Sequence, residues 1–339
     1  MPLGRLEAPL EWGEAWAARI RGGMLGLAVG DALGLPWELK SGEEVRRGFR
    51  GEMVGGGTWG VPAGTWSDDT SQTLALVDTL ASDGADPEAF VGRLLLWLRE
   101  GRYTPDGVAF NVGPTTLRVL EAIAGGASLE GAAAMRPSCG SLMRCFPVAA
   151  YTLCSPLGEA VGVAHRMSAA THAHPLAMMA CGLYTVVIRG VFAGLTLGES
   201  VAAAGEALHR LYSGGRWGRY ARRFRYLEDP AALAAERPRR AVCEASKMLR
   251  AALWSVLSTR SLREALVEAV RLGGDTDTVA AIAGSVAGAY YGPDSIPPGW
   301  LSVLRARALV EDAAARLAST VRGRCPGVGV GAGIRPGLQ

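Results

Sequence analysis

Lysine and the side-chain amides are nearly missing from this chain of 339 residues. The lysines are Lys40 and Lys247, the one asparagine is Asn111, and the glutamines are Gln72 and Gln339. Scarce amides beside abundant Ala, Gly and Arg fit a thermophilic source, and a GC-rich genome explains the same composition equally well. The formal net charge is only +3, so overall charge gives no argument for nucleic acid or a membrane as a partner.

Paired cysteine motifs and histidines at zinc-finger spacing are also missing. The cysteines are Cys139, Cys145, Cys154, Cys181, Cys243 and Cys325. We therefore expect them to be small buried hydrophobic residues in a reducing cytosol.

Long apolar segments are missing as well. The N-terminal segment carries charges throughout and has no apolar core, which argues against a secretory signal. The most apolar stretch runs from Pro175 to Ile188, ends at Arg189 and is too short to span a bilayer. We expect a cytoplasmic protein that does not enter a membrane.

Strand-like alternation is nearly absent, whereas apolar residues at helical spacing dominate the chain. Helices are predicted around Trp16, after Pro175 and after Asp277. Further helices are predicted over residues 70–82, 87–100, 114–125, 141–153, 157–170, 197–212, 231–257, 260–272 and 299–321. The pattern predicts an all-α protein with one domain over residues 1–322 and a flexible Gly/Pro-rich tail over 323–339.

Two internal segments interrupt the helical pattern. Residues 41–67 form a glycine-rich loop. Residues 213–240 hold eight arginines interleaved with aromatic residues, and we treat this arginine-rich segment as an insertion. It either presents a basic, stacking surface to nucleic acid or another polyanion, or packs its aromatics on the body of the protein. The packing interpretation is favoured.

Two short acidic clusters lie more than two hundred residues apart. Ser67, Asp68, Asp69 and Thr70 form the first cluster, and each cluster follows glycines and opens a helix. The second cluster is the run Asp275–Thr278. Helix capping explains either one alone, but two carboxylate pairs with flanking hydroxyls are also all-oxygen ligands of the kind that Mg²⁺ and Mn²⁺ prefer. If the clusters meet, a pair of metal ions is the natural way to balance their charge.

Three further elements carry polar side chains in unusual places. Asp31 sits in a helix of closely spaced glycines, where a charge needs a partner, and Glu38 follows at the end of that helix. The second element is the run CGSLMRCFPVAA, residues 139–150. The third places His172 and His174 two residues apart in a polar turn, where a structural role and a ligand contact are both open.

Taken in this order, the five elements resemble the ADP-ribosylglycohydrolase family, over about residues 20–292. The glycine-spaced helix ends in Asp31, then Glu38, and the Ser-Asp-Asp-Thr turn follows at residues 67–70. A Met-Arg-x-x-Pro segment begins at Met143, and the Thr-His-x-x-Pro turn ends at Pro175. The closing GGDTDT and its Ala/Gly helix match almost letter for letter.

The resemblance implies an orthogonal multi-helix bundle with two Mg²⁺ or Mn²⁺ ions at the base of a cleft. It implies seven metal ligands, namely Ser67, Asp68, Asp69, Asp275, Asp277, Thr278 and the mobile Glu38. It also implies catalytic roles for Glu38, Asp68 and Asp277. The substrate-binding residues that it implies are Asn111, Gly140, Ser141, Met143, Arg144 and His172.

The implied activity is cleavage of the glycosidic bond between ADP-ribose and an acceptor, a protein side chain or a small molecule, by a monomer. The two ions would clamp the ribose hydroxyls and a water, while Glu38 handles the proton. Two departures concern the substrate. Asn111 replaces an acid of the arginine-type members, and an amide does not pair with guanidinium as a carboxylate does. Cys139 stands where the family often has Asn, so phosphate contacts there are expected to differ.

Two other functions stay open at this point. A non-catalytic ADP-ribose-binding or crystallin-like protein could keep the same fold, and Asn111 leaves room for it. A two-metal hydrolase of another nucleotide is the third hypothesis, and release of ADP-ribose rather than AMP or phosphate would separate it from the first.

Overall fold

A computed structural model describes residues 2–325, and the described part of the chain is all-α, as predicted. The α-helices are α1 Trp16–Gly34, α2 Gly42–Gly48, α3 Asp68–Ser82, α4 Pro87–Glu100, α5 Pro114–Ala124, α6 Leu129–Ala132, α7 Phe146–Tyr151, α8 Leu157–Ala169, α9 Pro175–Phe192, α10 Leu197–Tyr212, α11 Gly215–Ala221, α12 Pro230–Ala235, α13 Ala245–Leu257, α14 Leu262–Val270, α15 Thr276–Tyr291, α16 Pro298–Val303 and α17 Arg307–Arg324. Short 3₁₀ turns lie at Pro2–Leu6, Leu35–Trp37, Arg222–Leu227 and Pro293–Ser295. Within residues 2–325, extended pairing is limited to isolated bridges.

A glycine ridge joins α1 to α15 and places the site. A Cβ atom on Gly26 would meet the carbonyl oxygen of Gly284 at 2.2 Å, and one on Gly30 would meet that of Ala280 at 2.1 Å. At Gly34 the corresponding contact is with Thr276, at 2.3 Å. Only glycine allows two helix backbones this close, and the order of the contacts shows that the helices are antiparallel. The end of α1 therefore lies beside the start of α15.

The predicted helix boundaries needed four corrections. The helix predicted over 141–153 begins only at Phe146, as α7, and ends at Tyr151. The helix predicted over 231–257 is two helices, α12 and α13, separated by a loop that holds residues 236–244. The helix predicted over 299–321 breaks between α16 and α17, where Ala306 adopts a positive φ of 44°. The loop predicted over 41–67 contains α2, which Ser41 and Glu44 open as a capping box.

Helix α9 is the centre of the core and is longer than the apolar stretch in the sequence suggested. It has 18 residues and is apolar and long enough to cross a membrane by length and composition, yet every residue of it is buried inside the protein. Its Arg189 is also buried and donates to the backbone oxygens of Leu6, Ala8 and Thr152. These bonds satisfy a charge that burial would otherwise penalise.

The cysteine prediction is wrong for four of the six residues. Cys139 is disulfide-bonded to Cys243 and Cys154 to Cys325, each pair with a Cα–Cα distance of 5.2 Å. Cys145 and Cys181 are buried thiols, as expected. Partners 104 and 171 residues apart are brought together only by tertiary structure, which spacing in the sequence does not reveal.

The arginine-rich segment, residues 213–240, is not irregular: it holds α11, a 3₁₀ turn and α12. Phe224 is buried, and Trp217, Tyr220 and Tyr226 pack against the core, so the aromatics follow the favoured packing interpretation. The predicted tail begins too early, because α17 continues to Arg324; residues 326–339 lie outside the described part of the chain.

Candidate active site

The ends of three helices meet at one point in the structure. The last turn of α1 brings Asp31, the first turn of α3 brings Asp68 and Asp69, and the first turn of α15 brings Asp277. Two helix N-termini thus face a group of carboxylates, and their partial positive charge favours anions there. The two acidic clusters, far apart in sequence, are neighbours in space.

Asp31 caps α3 from a different helix. Its carboxylate accepts hydrogen bonds from the backbone N–H of Ser67 at 2.9 Å and of Thr70 at 3.0 Å. The hydroxyls of the same two residues also donate to it, at 2.9 and 2.7 Å. Burial raises the pKa of Asp31 to about 6, even though these four bonds favour the ionised form.

Two triads of carboxylates share one residue. In each triad, one oxygen from every member lies within 4.8 Å of the others. The triads are Asp31, Asp69 and Asp277 on one side and Glu38, Asp275 and Asp277 on the other. Asp277 therefore lies between two oxygen-rich positions, as a bridging carboxylate of a binuclear centre would.

Two buried oxygens in this cluster are unsatisfied. Oδ1 of Asp69 and Oδ1 of Asp277 have no hydrogen-bond partner among the described residues. An unpaired buried carboxylate oxygen is costly, and a divalent cation supplies the missing partner. The residues present thus fit hard metal ions, and Asp31, which the predicted ligand set omitted, belongs to one of the two triads.

Burial raises the pKa of every carboxyl group in the cluster. For Asp68, Asp69 and Asp277 the second cause is repulsion from neighbouring carboxylates, and their pKa values lie well above the usual range. The pKa values of Glu38 and Asp275 are raised as well, mainly by burial. Without a bound cation, burial and repulsion thus favour the protonated form of these carboxyl groups, and a cation would favour the ionised form.

Glu38 faces the pocket from the end of α1. Its carboxylate accepts hydrogen bonds from the indole N–H of Trp59 and from the Asn111 amide, the latter at 3.1 Å. Asn111 also donates to Oδ2 of Asp277 at 2.9 Å, so one amide bridges two acids. Asn111 adopts a positive φ of 53°, a conformation that asparagine tolerates better than most residues.

Four of the carboxylates, Glu38, Asp68, Asp275 and Asp277, line a pocket of about 540 Å³, a volume that suits a small-molecule ligand. Asp31 and Asp69 do not line it. Gly140, Met143 and His172 line its walls. Burial lowers the pKa of His172 to about 3, so its ring is neutral. A Cβ atom on Gly140 would come within 3.0 Å of that ring, so glycine keeps the space beside it open. Among the described lining residues, Arg240 is the one cation.

Ser141 and Arg144 were predicted to bind substrate, but the structure places them behind the pocket wall. Ser141 accepts a hydrogen bond from Ser168 at 2.8 Å and is 3% exposed. Arg144 is 1% exposed and donates to Gln72 and to Thr171, the latter at 2.6 Å. Neither residue lines the pocket: within the turn 139–145, Cys139, Gly140 and Met143 face it, and the side chains of Ser141 and Arg144 are buried behind them.

Arg144 instead belongs to a hydrogen-bonded chain that supports the site. Gln72 donates to Oδ2 of Asp68 at 2.8 Å, and at the other end Thr171 bonds Nδ1 of His172 at 2.7 Å. The guanidinium thus orients one acidic and one histidine side chain of the pocket. Burial lowers the pKa of Arg144 to about 10, so it stays charged at neutral pH.

Sequence reasoning missed four residues of the site. Asp31 carried a signal, since a charged residue in a glycine-spaced helix needs a partner. The other three residues had no distinctive signal in the sequence. Trp59 is an aromatic residue in a glycine-rich loop, Gln72 is one of two glutamines, and Arg240 is one arginine among many.

Comparison with known proteins gives the chain a family. A sequence model of the ADP-ribosylglycohydrolase family matches residues 13–327. The chain belongs to this family. The family predicted from the motifs, and the hydrolase class that goes with it, are thereby confirmed.

Relatives and a solved structure agree with this placement. The ADP-ribosylarginine hydrolase Tri1 of Pseudomonas putida is 31% identical over 291 residues, covering 84% of this chain and 73% of the relative. The ADP-ribosyl-[dinitrogen reductase] glycohydrolase of Rhodospirillum rubrum is 31% identical over 296 residues, covering 84% and 90%. A structure titled ADP-ribosylglycohydrolase-related protein complex superposes with a TM-score of 0.76 at 32% identity, covering 91% of this chain and 100% of that one.

Proposed function

We propose that this protein hydrolyses the glycosidic bond between ADP-ribose and an acceptor and releases ADP-ribose. The observation that carries the proposal is the pair of carboxylate triads that share Asp277, which itself lines the pocket. The relatives' names describe this class of reaction on ADP-ribosyl-arginine and on a modified protein. Asn111, in place of an acid, favours an acceptor other than arginine.

The metal centre that we propose holds two Mg²⁺ or Mn²⁺ ions. Their ligands would come from the two triads and from the oxygens of Ser67, Asp68 and Thr278. When bound, the ions supply Lewis-acid polarisation and a water of lowered pKa. The protein's part is to fix the carboxylates: Asp31 is held by four hydrogen bonds, and the Asp68 side chain by Gln72.

Glu38 is the proposed acid–base group. Its carboxyl is partly buried, and burial raises its pKa above the usual value, which favours a group that can both hold and release a proton. Trp59 and Asn111 hold the same oxygen, Oε2, so Oε1 is left to face the reacting bond or the attacking water. This geometry suits a group that exchanges one proton without leaving its place.

Arg240 is the proposed contact of the diphosphate. The substrate carries two phosphate charges, and the other titratable side chains that line the described pocket are acidic, neutral or disulfide-bonded. Neutral His172, which also lines the pocket, is available as a hydrogen-bonding group. Arg239 is exposed beside Arg240 and does not line the pocket, so Arg239→Gln is a matched control for Arg240→Gln.

The test is product analysis with an ADP-ribosylated protein and ADP-ribosyl-arginine, each with and without Mg²⁺ or Mn²⁺. Metal-dependent release of free ADP-ribose supports the proposal. Release of AMP or phosphate supports a nucleotide hydrolase instead. ADP-ribose that binds without turnover of any linkage supports the non-catalytic alternative.

A further inference from the structure

A second groove lies behind one wall of the pocket. Residues 134–139 and 172–175 form this wall, and the backbone of Ala134 bonds Thr171 at 3.2 Å and Ala173 at 3.0 Å. Cys139 and His172 line the pocket on one side. Ala173 and Pro175 line a separate groove of about 570 Å³ on the other. The groove and the pocket thus share a thin partition.

Four arginines surround this groove and its continuation toward α11. We name Arg166, Arg216, Arg219 and Arg222 the arginine face. All four side chains are exposed, and none forms an ion pair within residues 2–325. Glu130 is the one acidic residue that lines the groove, so positive charge is in excess there.

Two of these arginines are held in place by aromatic rings. The guanidinium of Arg216 lies 4.3 Å from the Trp217 ring, and that of Arg219 lies 5.0 Å from the Tyr220 ring. Stacking restricts the side chains without using their N–H donors. Donors that are ordered before binding lose less entropy when a carboxylate arrives.

The rings themselves are not free to stack on nucleic-acid bases. Trp217 packs against His165 and Tyr212, and Tyr220 packs edge-on against His174. The floor of the groove is apolar and includes Leu129, Met135 and Met178, with Met135 63% exposed. An apolar floor with a basic rim fits a protein segment better than a single strand, which requires aromatic platforms.

We propose that the arginine face docks an acidic, leucine-containing segment of the protein that carries the ADP-ribose. This proposal rests on the proposed function for the identity of the partner, and on charge complementarity for its chemistry. Only the shared wall separates a substrate protein bound in the groove from the pocket. Docking would therefore lower KM for protein substrates, although the arginine face makes no contact with the bond that is cleaved.

The chain offers a matched control. Another groove is lined by two acids, Glu264 and Glu268, and by four arginines, namely Arg50, Arg260, Arg263 and Arg271. None of its described lining residues lines the pocket. Arg263 also lies 3.7 Å from Glu52. The triple variant R50S/R260S/R263S therefore removes the same charge as R216S/R219S/R222S from a surface that is not part of the pocket and whose arginines are partly paired with acids.

The binding test uses a fluorescein-labelled peptide of glutamates with interspersed leucines, at low and moderate salt. We expect wild type and the control variant to bind it, affinity to fall with salt, and R216S/R219S/R222S to lose about tenfold or more. Equal losses in both triple variants, no binding at low salt, or tighter binding of a single-stranded oligonucleotide through the same arginines would each overturn the proposal.

A kinetic test separates docking from the reaction itself. With an acidic ADP-ribosylated protein, R216S/R219S/R222S should raise KM and leave kcat unchanged, while the dissociation constant of free ADP-ribose should not change. An equal KM for the protein substrate in all three proteins contradicts docking. Failure of every protein to release ADP-ribose contradicts the proposed function, while the peptide titration still decides the face.

Discussion

The carboxylate-lined pocket and the arginine face both carry unbalanced charge, but burial makes them different kinds of site. In the pocket, Asp69 and Asp277 are each 1% exposed, and like charges lie within 4.8 Å of one another. Two unit charges about 4 Å apart repel by about 4 kcal/mol at an effective dielectric of about 20. On the arginine face, Arg216 and Arg219 are in water, where each ionic contact is worth only about 0–1 kcal/mol.

The difference shows how strongly each region specifies its ligand. Buried carboxylates cannot remain both ionised and unpaired, so they need protons or metal ions at fixed positions. Solvated arginines tolerate the absence of a partner, so they select partners by the sign and spread of charge. We therefore expect large, all-or-none effects from changes in the pocket and graded, salt-sensitive effects from changes on the face.

The largest effect is expected for Asp277, the residue shared by both triads. Asp277→Asn should reduce turnover about a thousandfold or more, because it weakens both metal positions at once. The metal-free variant should nevertheless be more stable than metal-free wild type, by about 1–3 kcal/mol, because one repelling charge is gone. Steady-state turnover with added metal measures the first effect, and thermal unfolding in EDTA measures the second. The exposed Asp312→Asn is the control. Near-normal turnover would remove Asp277 from the centre.

The stability difference should also depend on pH in a defined direction. Burial raises the pKa of Asp277 in the folded protein well above its unfolded value of 3.8. The folded protein holds this proton more tightly than the unfolded chain does. The resulting contribution to the free energy of unfolding is fully present below pH 3.8 and is lost as pH rises through the folded pKa. In EDTA, the gap between Asp277→Asn and wild type should therefore widen as pH rises and close at low pH. A gap that does not change with pH would show that repulsion is not its cause.

Glu38 should have the next largest effect, confined to the chemical step. Glu38→Gln keeps the size and the bonds from Trp59 and Asn111 but cannot exchange a proton, so kcat should fall by about 10²–10⁴-fold. The ADP-ribose dissociation constant, measured by calorimetry, should change much less. Trp59→Phe, which loses only the indole donor, should retain most activity. Lost binding with kcat unchanged would contradict the assignment.

Asn111 decides whether the pocket accepts a guanidinium. Asn111→Asp keeps a residue that tolerates positive φ and adds an acid, so kcat/KM on ADP-ribosyl-arginine should rise by about tenfold. The added charge lies beside Glu38 and Asp277, so the metal-free variant should be less stable. Asn111→Gly, which keeps the backbone free without adding charge, is the control. Efficient cleavage of ADP-ribosyl-arginine by wild type would contradict the specificity argument, and the arginine hydrolase among the relatives makes this assay the first to run.

The sequence was sufficient for the family and the helical class, because local motifs carry them. The meeting of the two acidic clusters followed from the resemblance to the family, since the residues alone left it open. The glycine ridge was partly visible, since Gly284 and Gly288 mark a face of small residues. The inward turn of Ser141 and Arg144 was not visible, because residue type does not show which side of a wall a short loop presents. Arg240 was not visible either, because it reaches the pocket only where the helix predicted over 231–257 breaks.

The smallest effect is expected at the loop of residues 236–244, which joins the arginine-rich segment to the pocket. Glu244, in this loop, binds Arg223 at 3.0 Å, while Cys243 lines the pocket and is disulfide-bonded to Cys139. The disulfide closes a loop of 104 residues, so replacing both of its cysteines by serine should lower thermal stability. The same double variant should raise KM about two- to fivefold.

The second disulfide provides the comparison. Cys154 and Cys325, 171 residues apart, do not line the pocket. The C154S/C325S variant should therefore lose stability to a similar degree, because the entropic term grows only slowly with loop length, while KM stays unchanged. Unfolding temperatures and KM of both double-serine variants, without reductant, give the measurement. If KM rises equally in both, the change reflects global loosening, and the Cys139–Cys243 bond has no particular role in joining the arginine-rich segment to the pocket.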